Sequence, residues 1–194
     1  MSADAGSAAP RIPPVTVPDD VQREALAKAP VRPDGSVRNI FSTLAHHPVL
    51  LRRFNAFAGT FMRFSAISPY ERELVILRVA GRIGSRYEYA QHVPIARDAG
   101  LDDDRIRAVM LQPGAPALPD ADRLLLAMTD ELLATGSVTD ATWDALARDR
   151  TPDALLELLF IAGFYRMTGD VLGTVGVELE EPLELPIDWD RIAS

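Results

Sequence analysis

The sequence runs to 194 residues, 47% hydrophobic and 25% charged, a profile that suits one compact globular domain. A net charge of −8, with no basic cluster larger than the pair Arg52-Arg53, speaks against nucleic acid and anionic membrane surfaces as partners. There is no cysteine, so disulfides, thiolate metal sites and thiol nucleophiles are out of reach.

No apolar run approaches the roughly 18–20 residues of a membrane helix. The first residues lack the charged and apolar regions of an export signal, so a cytoplasmic location is expected. Residues 1–18 hold four prolines and few apolar anchors, and the reading there is a flexible arm. A short helix follows over 19–29, stopped by Pro30 and Pro33, and Arg32 to Gly35 reads as a turn. Ile40, Phe41 and Leu44, then Leu50, Leu51, Phe54, Phe57 and Phe61 after Pro48, recur at helical spacing and predict one long apolar face. Ser68-Pro69-Tyr70-Glu71 is a capping box with proline at the first helical position, and the helix it starts runs to Gly84. Ser85 and Glu88 repeat that formula for a helix ending at Gly100. Asp102 caps a short helix over 103–111, and Pro113 to Pro119 reads as a loop. Helices over about 120–134, 140–148 and 152–175 complete an all-α bundle of about six to eight helices. The expected organisation is an arm over 1–18, a helical domain over 19–179 and a Pro-containing tail over 180–194. In that tail Leu185, Ile187 and Trp189 are expected to dock on a neighbour.

Three histidines are present. His46 and His47 precede Pro48 and read as polar residues at a helix end. His92 lies inside a helix, four residues after Glu88, so the two side chains share a face. The short Gly84-Ser85 connection folds the two helices into an antiparallel hairpin, on which Glu73 and His92 can approach each other. Each residue also has a plainer explanation: Ser85 and Glu88 as a capping box, Glu73 as a first-turn acid, His92 as an ion-paired or core histidine. Glu73, Glu88 and His92 are also oxygen and nitrogen ligands, but a second histidine is lacking and no metal is expected.

The stretch from Ser68 to His92 resembles the signature hairpin of the carboxymuconolactone decarboxylase and alkylhydroperoxidase D group. The peroxidase branch has Glu, eleven residues, Cys-x-x-Cys, three residues, His. The same spacing here carries Glu73, Ser85, Glu88 and His92, with both cysteine positions replaced. The form Tyr87-Glu88-Tyr89-x-x-His92 is similar to the non-redox, decarboxylase-like members. Asn39 to Pro48 resembles the family's leading helix, and Leu158 to Met167 with Val175 to Val177 its closing one, so the likeness spans about 38–178. The resemblance implies Glu73, Glu88 and His92 as catalytic residues and Ser85, Tyr87 and Tyr89 as substrate-binding ones. It further implies a cofactor-free lyase or isomerase acting on a small acidic or lactone metabolite, in a homotrimer or homohexamer. A thiol-independent hydroperoxide-handling protein and a non-catalytic ligand-binding oligomer remain as alternatives.

Overall fold

A computed structural model describes residues 9–110, 118–180, 185–187 and 189. The start of the expected arm (1–8), most of the expected 113–119 loop, and tail residues 181–184, 188 and 190–194 lie outside the described residues. Nine helices occur among them, and the β-type pairing found there is an isolated bridge between Val31 and Val37. The chain divides into two compact units, one formed by Met1–Gly59 with Val171–Pro182, the other by Thr60–Asp170 with Leu183–Ser194.

The first unit holds α1 (Asp20–Leu26), α2 (Asn39–Leu44), most of α3 (Pro48–Arg63) and the end of α9 (Pro152–Val175). Asp19 and Gln22 close a capping box on α1. The ninth helix arises because the expected long helix breaks after α2. Proline cannot donate into a continuing helix but fits a first turn. His47 accepts the Leu50 N–H through Nδ1 at 3.3 Å, and His46 Nε2 sits 3.0 Å from the Pro13 carbonyl. Both histidines stand between the end of α2, where their N–H groups reach the Thr43 and Leu44 carbonyls, and the start of α3. Ala25, Ala45 and Leu51 form the core, with Val15, Leu26, Phe41 and Leu44 packed against it. The helix is turned so that Leu51 faces inward, which leaves Leu50 and Phe57 of the expected apolar stripe exposed. The Glu180 carboxylate accepts the Asn39 N–H at 2.6 Å, a favourable charge at the start of α2.

The second unit is built around α4 (Pro69–Ile83), with α5 (Arg86–Asp98), α6 (Asp103–Met110), α7 (Asp120–Thr135), α8 (Asp140–Ala147) and most of α9. The Ser68–Glu71 capping box forms as read, with Pro69 in the first turn. Every residue of α4 from Arg72 to Ala80 is buried, so this helix is enclosed on all sides. Arg78, 1% exposed, reaches Asp130 of α7 through Nε and Nη2 at 2.8 and 2.6 Å and the Val109 carbonyl of α6 at 2.7 Å. One buried guanidinium thereby fixes three helices. In the tail, Trp189 is 8% exposed and packs at a tilt against Tyr89 of its own chain, ring centroids 5.2 Å apart. That corrects the expectation that it waits for a neighbour: Tyr89 offers an apolar ring close by.

Candidate active site

Gly84 ends α4 at φ 70°, the left-handed backbone that glycine adopts without strain. Ser85 follows directly, and α5 runs back along α4. Glu73, near the start of α4, then lies opposite His92 on α5. His92 donates its Nδ1–H to Glu73 Oε2 at 2.7 Å, and the other Glu73 oxygen accepts from Arg72 Nε at 2.9 Å. Arg72 also donates to the Phe61 carbonyl at 3.3 Å. Glu88, one turn before His92, brings Oε2 to 3.6 Å from Nε2. Glu73 is fully buried, and Arg72, Glu88 and His92 expose only 5%, 4% and 7% of their surface. Tyr165 of α9 sets its ring perpendicular to the imidazole, centroids 4.9 Å apart, and is itself buried.

The two carboxyls on this imidazole are driven apart. Burial would raise Glu73, but the charge and hydrogen bond of His92, with Arg72 behind it, outweigh that and hold it below the usual carboxylate value. Glu88 is raised: burial dominates, the His92 charge offsets part of it, and the Glu73 charge adds to it. Burial pulls the imidazole down, but the charge and hydrogen bond of Glu73, then the Glu88 charge, lift His92 above its normal value. Burial, reinforced by Glu88 and Glu73, pushes the Tyr165 phenol well above its usual value, so it stays protonated. An ionised Glu73 is an acceptor only, which places the proton of a neutral His92 on Nδ1 and leaves Nε2 to take or give the mobile one.

The local capping reading of Ser85 and Glu88 fails. Ser85 makes no side-chain cap hydrogen bond, and its ψ of 88° departs from the extended value of the Ser68 cap. The Ser85 side chain is buried against α9, where a Cβ on Gly169 would fall 3.0 Å from Ser85 Cβ and 2.5 Å from Ile83 Cδ1. Glu88 turns inward to His92 instead of back to the helix start. Of the residues expected to bind substrate, Ser85 faces Gly169, Tyr89 faces Trp189, and Tyr87 is buried at 6% exposure. Arg72 and Tyr165 escaped the sequence reading. Neighbours in a helix point in different directions, so nothing marked Arg72 as Glu73's partner. Tyr165 sits in an apolar run that reads as core. No group of three or more His, Cys, Asp or Glu side chains among the described residues is set to hold a metal. A separate cleft of about 410 Å³ lies over the Glu71–Arg150 ion pair and does not include His92.

The order Glu73, Ser85, Glu88, His92 on one helical hairpin, with its first and last members in contact, agrees with a comparison against known families. Residues 48–131 match the carboxymuconolactone decarboxylase family. This carboxymuconolactone decarboxylase-like segment contains α4 and α5, hence Glu73, Glu88 and His92, and ends before Tyr165. The fold is that of the alkylhydroperoxidase AhpD core of an uncharacterized peroxidase-related protein from Ralstonia eutropha JMP134. That structure has a TM-score of 0.70 at 23% identity over 88% of this chain and 93% of the other. An uncharacterized peroxidase-related protein from Silicibacter sp. TM1040 gives a TM-score of 0.68 at 19% identity, over 85% of this chain and 95% of the other. At such identities the likeness is one of fold. No curated protein matches the chain. No helix among the described residues is long and apolar enough to cross a membrane.

Proposed function

We propose that this protein is a cofactor-independent lyase or isomerase of the carboxymuconolactone decarboxylase type, acting on a small acidic or lactone metabolite. The observation that carries this reading is the 2.7 Å contact between Glu73 and His92 Nδ1, which leaves Nε2 directed to a second, electrostatically different carboxyl. Loss of CO2 from a lactone acid leaves an electron pair that a neighbouring carbonyl delocalises as an enolate; in migration of the double bond the same enolate forms when Nε2 of the neutral His92 removes a proton from carbon. The protein must then deliver a proton to carbon and keep water out. His92 supplies the proton through Nε2, while Glu73 holds the ring and stabilises the imidazolium, with Arg72 holding Glu73. Tyr165 closes one side of the ring against solvent.

A second reading, thiol-independent handling of hydroperoxides, draws on the peroxidase-related names of the similar structures. In it Ser85 and Glu88 would stand where thiols act in the peroxidase branch, and a buried carboxyl is not a redox group. Proton transfer is therefore the better match to the residues present. The protein works as a homo-oligomer in this reading, as the family likeness suggests. Screening the purified chain against lactone and unsaturated carboxylic acids, with lactone opening, double-bond shift and CO2 release all monitored, tests the proposal. Turnover of one compound that vanishes in His92→Ala supports it, and equal turnover by the variant overturns it.

A further inference from the structure

Glu88 stands apart from the Glu73–His92 pair. Its carboxyl belongs to a residue 4% exposed, and no hydrogen bond from another described residue acts on it. Its nearest charged partner, His92 Nε2 at 3.6 Å, is beyond hydrogen-bonding reach. A buried carboxyl left in this state is costly, and nothing on α5 requires it, since it caps no helix. A gap of 3.6 Å between two polar atoms is one that a single oxygen can bridge, lying within ordinary hydrogen-bond distance of both.

The surroundings specify what that oxygen is. From α4, Arg72 and Glu73 face the imidazole and neutralise each other; from α5 comes His92; from α9, the protonated Tyr165 ring. Glu73 already supplies the imidazolium's counter-charge through Nδ1, and a second carboxylate beside it is repelled. With Glu88 protonated, the site holds two O–H or N–H donors aimed at one point and a residual positive charge. We propose that Glu88, as the undissociated acid, and the Nε2–H of His92 together grip one oxygen of an anionic ligand, either a small carboxylate or the enolate of a carbonyl acid. This rests on the proton-transfer reading and adds Glu88 as the group that keeps hold of the oxygen when the Nε2 proton of His92 leaves for carbon. It assigns to Glu88 a binding role distinct from the orienting role of Glu73.

Acetate is the probe, titrated by calorimetry into the full chain at about pH 6 and about pH 8.5. Binding is expected to be tighter at the lower pH, because both donors lose their protons as pH rises. Glu88→Gln keeps an N–H donor and is expected to bind acetate with a shallower pH dependence, whereas Glu88→Leu loses at least about tenfold in affinity, the loss of one charge-assisted hydrogen bond. Three results would overturn the proposal: no acetate binding at about pH 6, preference for methylammonium over acetate, or an unchanged pH dependence in Glu88→Gln. Should Glu88→Leu fail to fold, the glutamine variant decides. Acetate binding needs no turnover, so full activity in His92→Ala would remove the proton-transfer reading and leave this site standing. Failure to bind acetate would do the reverse.

Discussion

Glu73 and Glu88 are the same residue type facing opposite nitrogens of one imidazole, and their neighbours make them different acids. Arg72 and a close N–H hold Glu73 ionised, whereas Glu88 has burial and a like charge against it. A pair of carboxyls with acidities pushed apart is the usual mark of divided acid–base labour. His92→Ala should lower turnover of an identified substrate about 10²–10⁴-fold, the usual size of a lost general acid–base, with the helical circular dichroism retained. Glu88→Gln should raise the melting temperature relative to wild type at about pH 8 more than at about pH 5, because the native carboxyl resists ionisation that the unfolded one accepts. Equal shifts at the two pH values would mean that Glu88 ionises normally.

At the scale of the element, helix boundaries were legible where a cap acts locally. Ser68 and Asp102 each accept a backbone N–H as read from the sequence, and Thr139 does the same at the start of α8. Ser85 obeys the same four-residue formula and does not, because Glu88 has a stronger claim in the interior. A capping signature contains no information about what packs on the far side of the helix. The Glu73–His92 contact was legible for the opposite reason, since one glycine turn and helical periodicity suffice to bring the two together. Tyr165 required knowledge of how α9 meets the hairpin, and no local pattern holds that. Ser85→Ala should therefore cost less than the about 0.5–2 kcal/mol of a lost N-cap, as read from urea unfolding. Two glycines of α9 should respond in opposite senses. Gly169→Ala meets Ser85 and Ile83 and should cost about 1–3 kcal/mol. Gly163, exposed with open space around it, should gain about 0.5–1 kcal/mol on substitution by Ala.

For the whole molecule, the site groups set a stability profile with two flanks. Glu73, lowered from 4.5, contributes stability that is present above that value and lost as pH falls through its folded one. His92, raised from 6.5, contributes stability that is complete below that value and lost as pH rises through its folded one. Glu88, raised from 4.5, contributes stability that is complete below 4.5 and lost as pH rises from there through its folded value. The melting temperature should thus fall below pH 4.5 as Glu73 is protonated and fall again above 4.5 as first Glu88 and then His92 lose their protons, so that it peaks on the acid side of neutrality. A flat profile from mildly acidic to alkaline pH would contradict the raised pKa values of both groups. The proposed oligomer has a separate test. Leu156, Phe160 and Met167 of α9 are each more than half exposed, an apolar row that a lone chain leaves in water. Light scattering should find a species of at least two chains' mass, and a stable single chain at micromolar concentration would remove the oligomer from the reading.

The Glu73–His92 hydrogen bond spans 19 residues, all within one helical hairpin. Closing so short a loop carries a small entropic penalty, and contacts of low sequence separation tend to form early. Tyr165 arrives from a helix far along the chain. Assembly of this site is therefore expected in two steps: a hairpin that pairs acid and base while still wet, then the docking of α9 that dries it. Substitutions within α4 and α5 should slow folding, and those at the Tyr165 contact should mainly speed unfolding. The drying step, which gives Glu88 its altered acidity, would then come with the last long-range contact, so the site would gain its acid–base character only once the chain around it is complete.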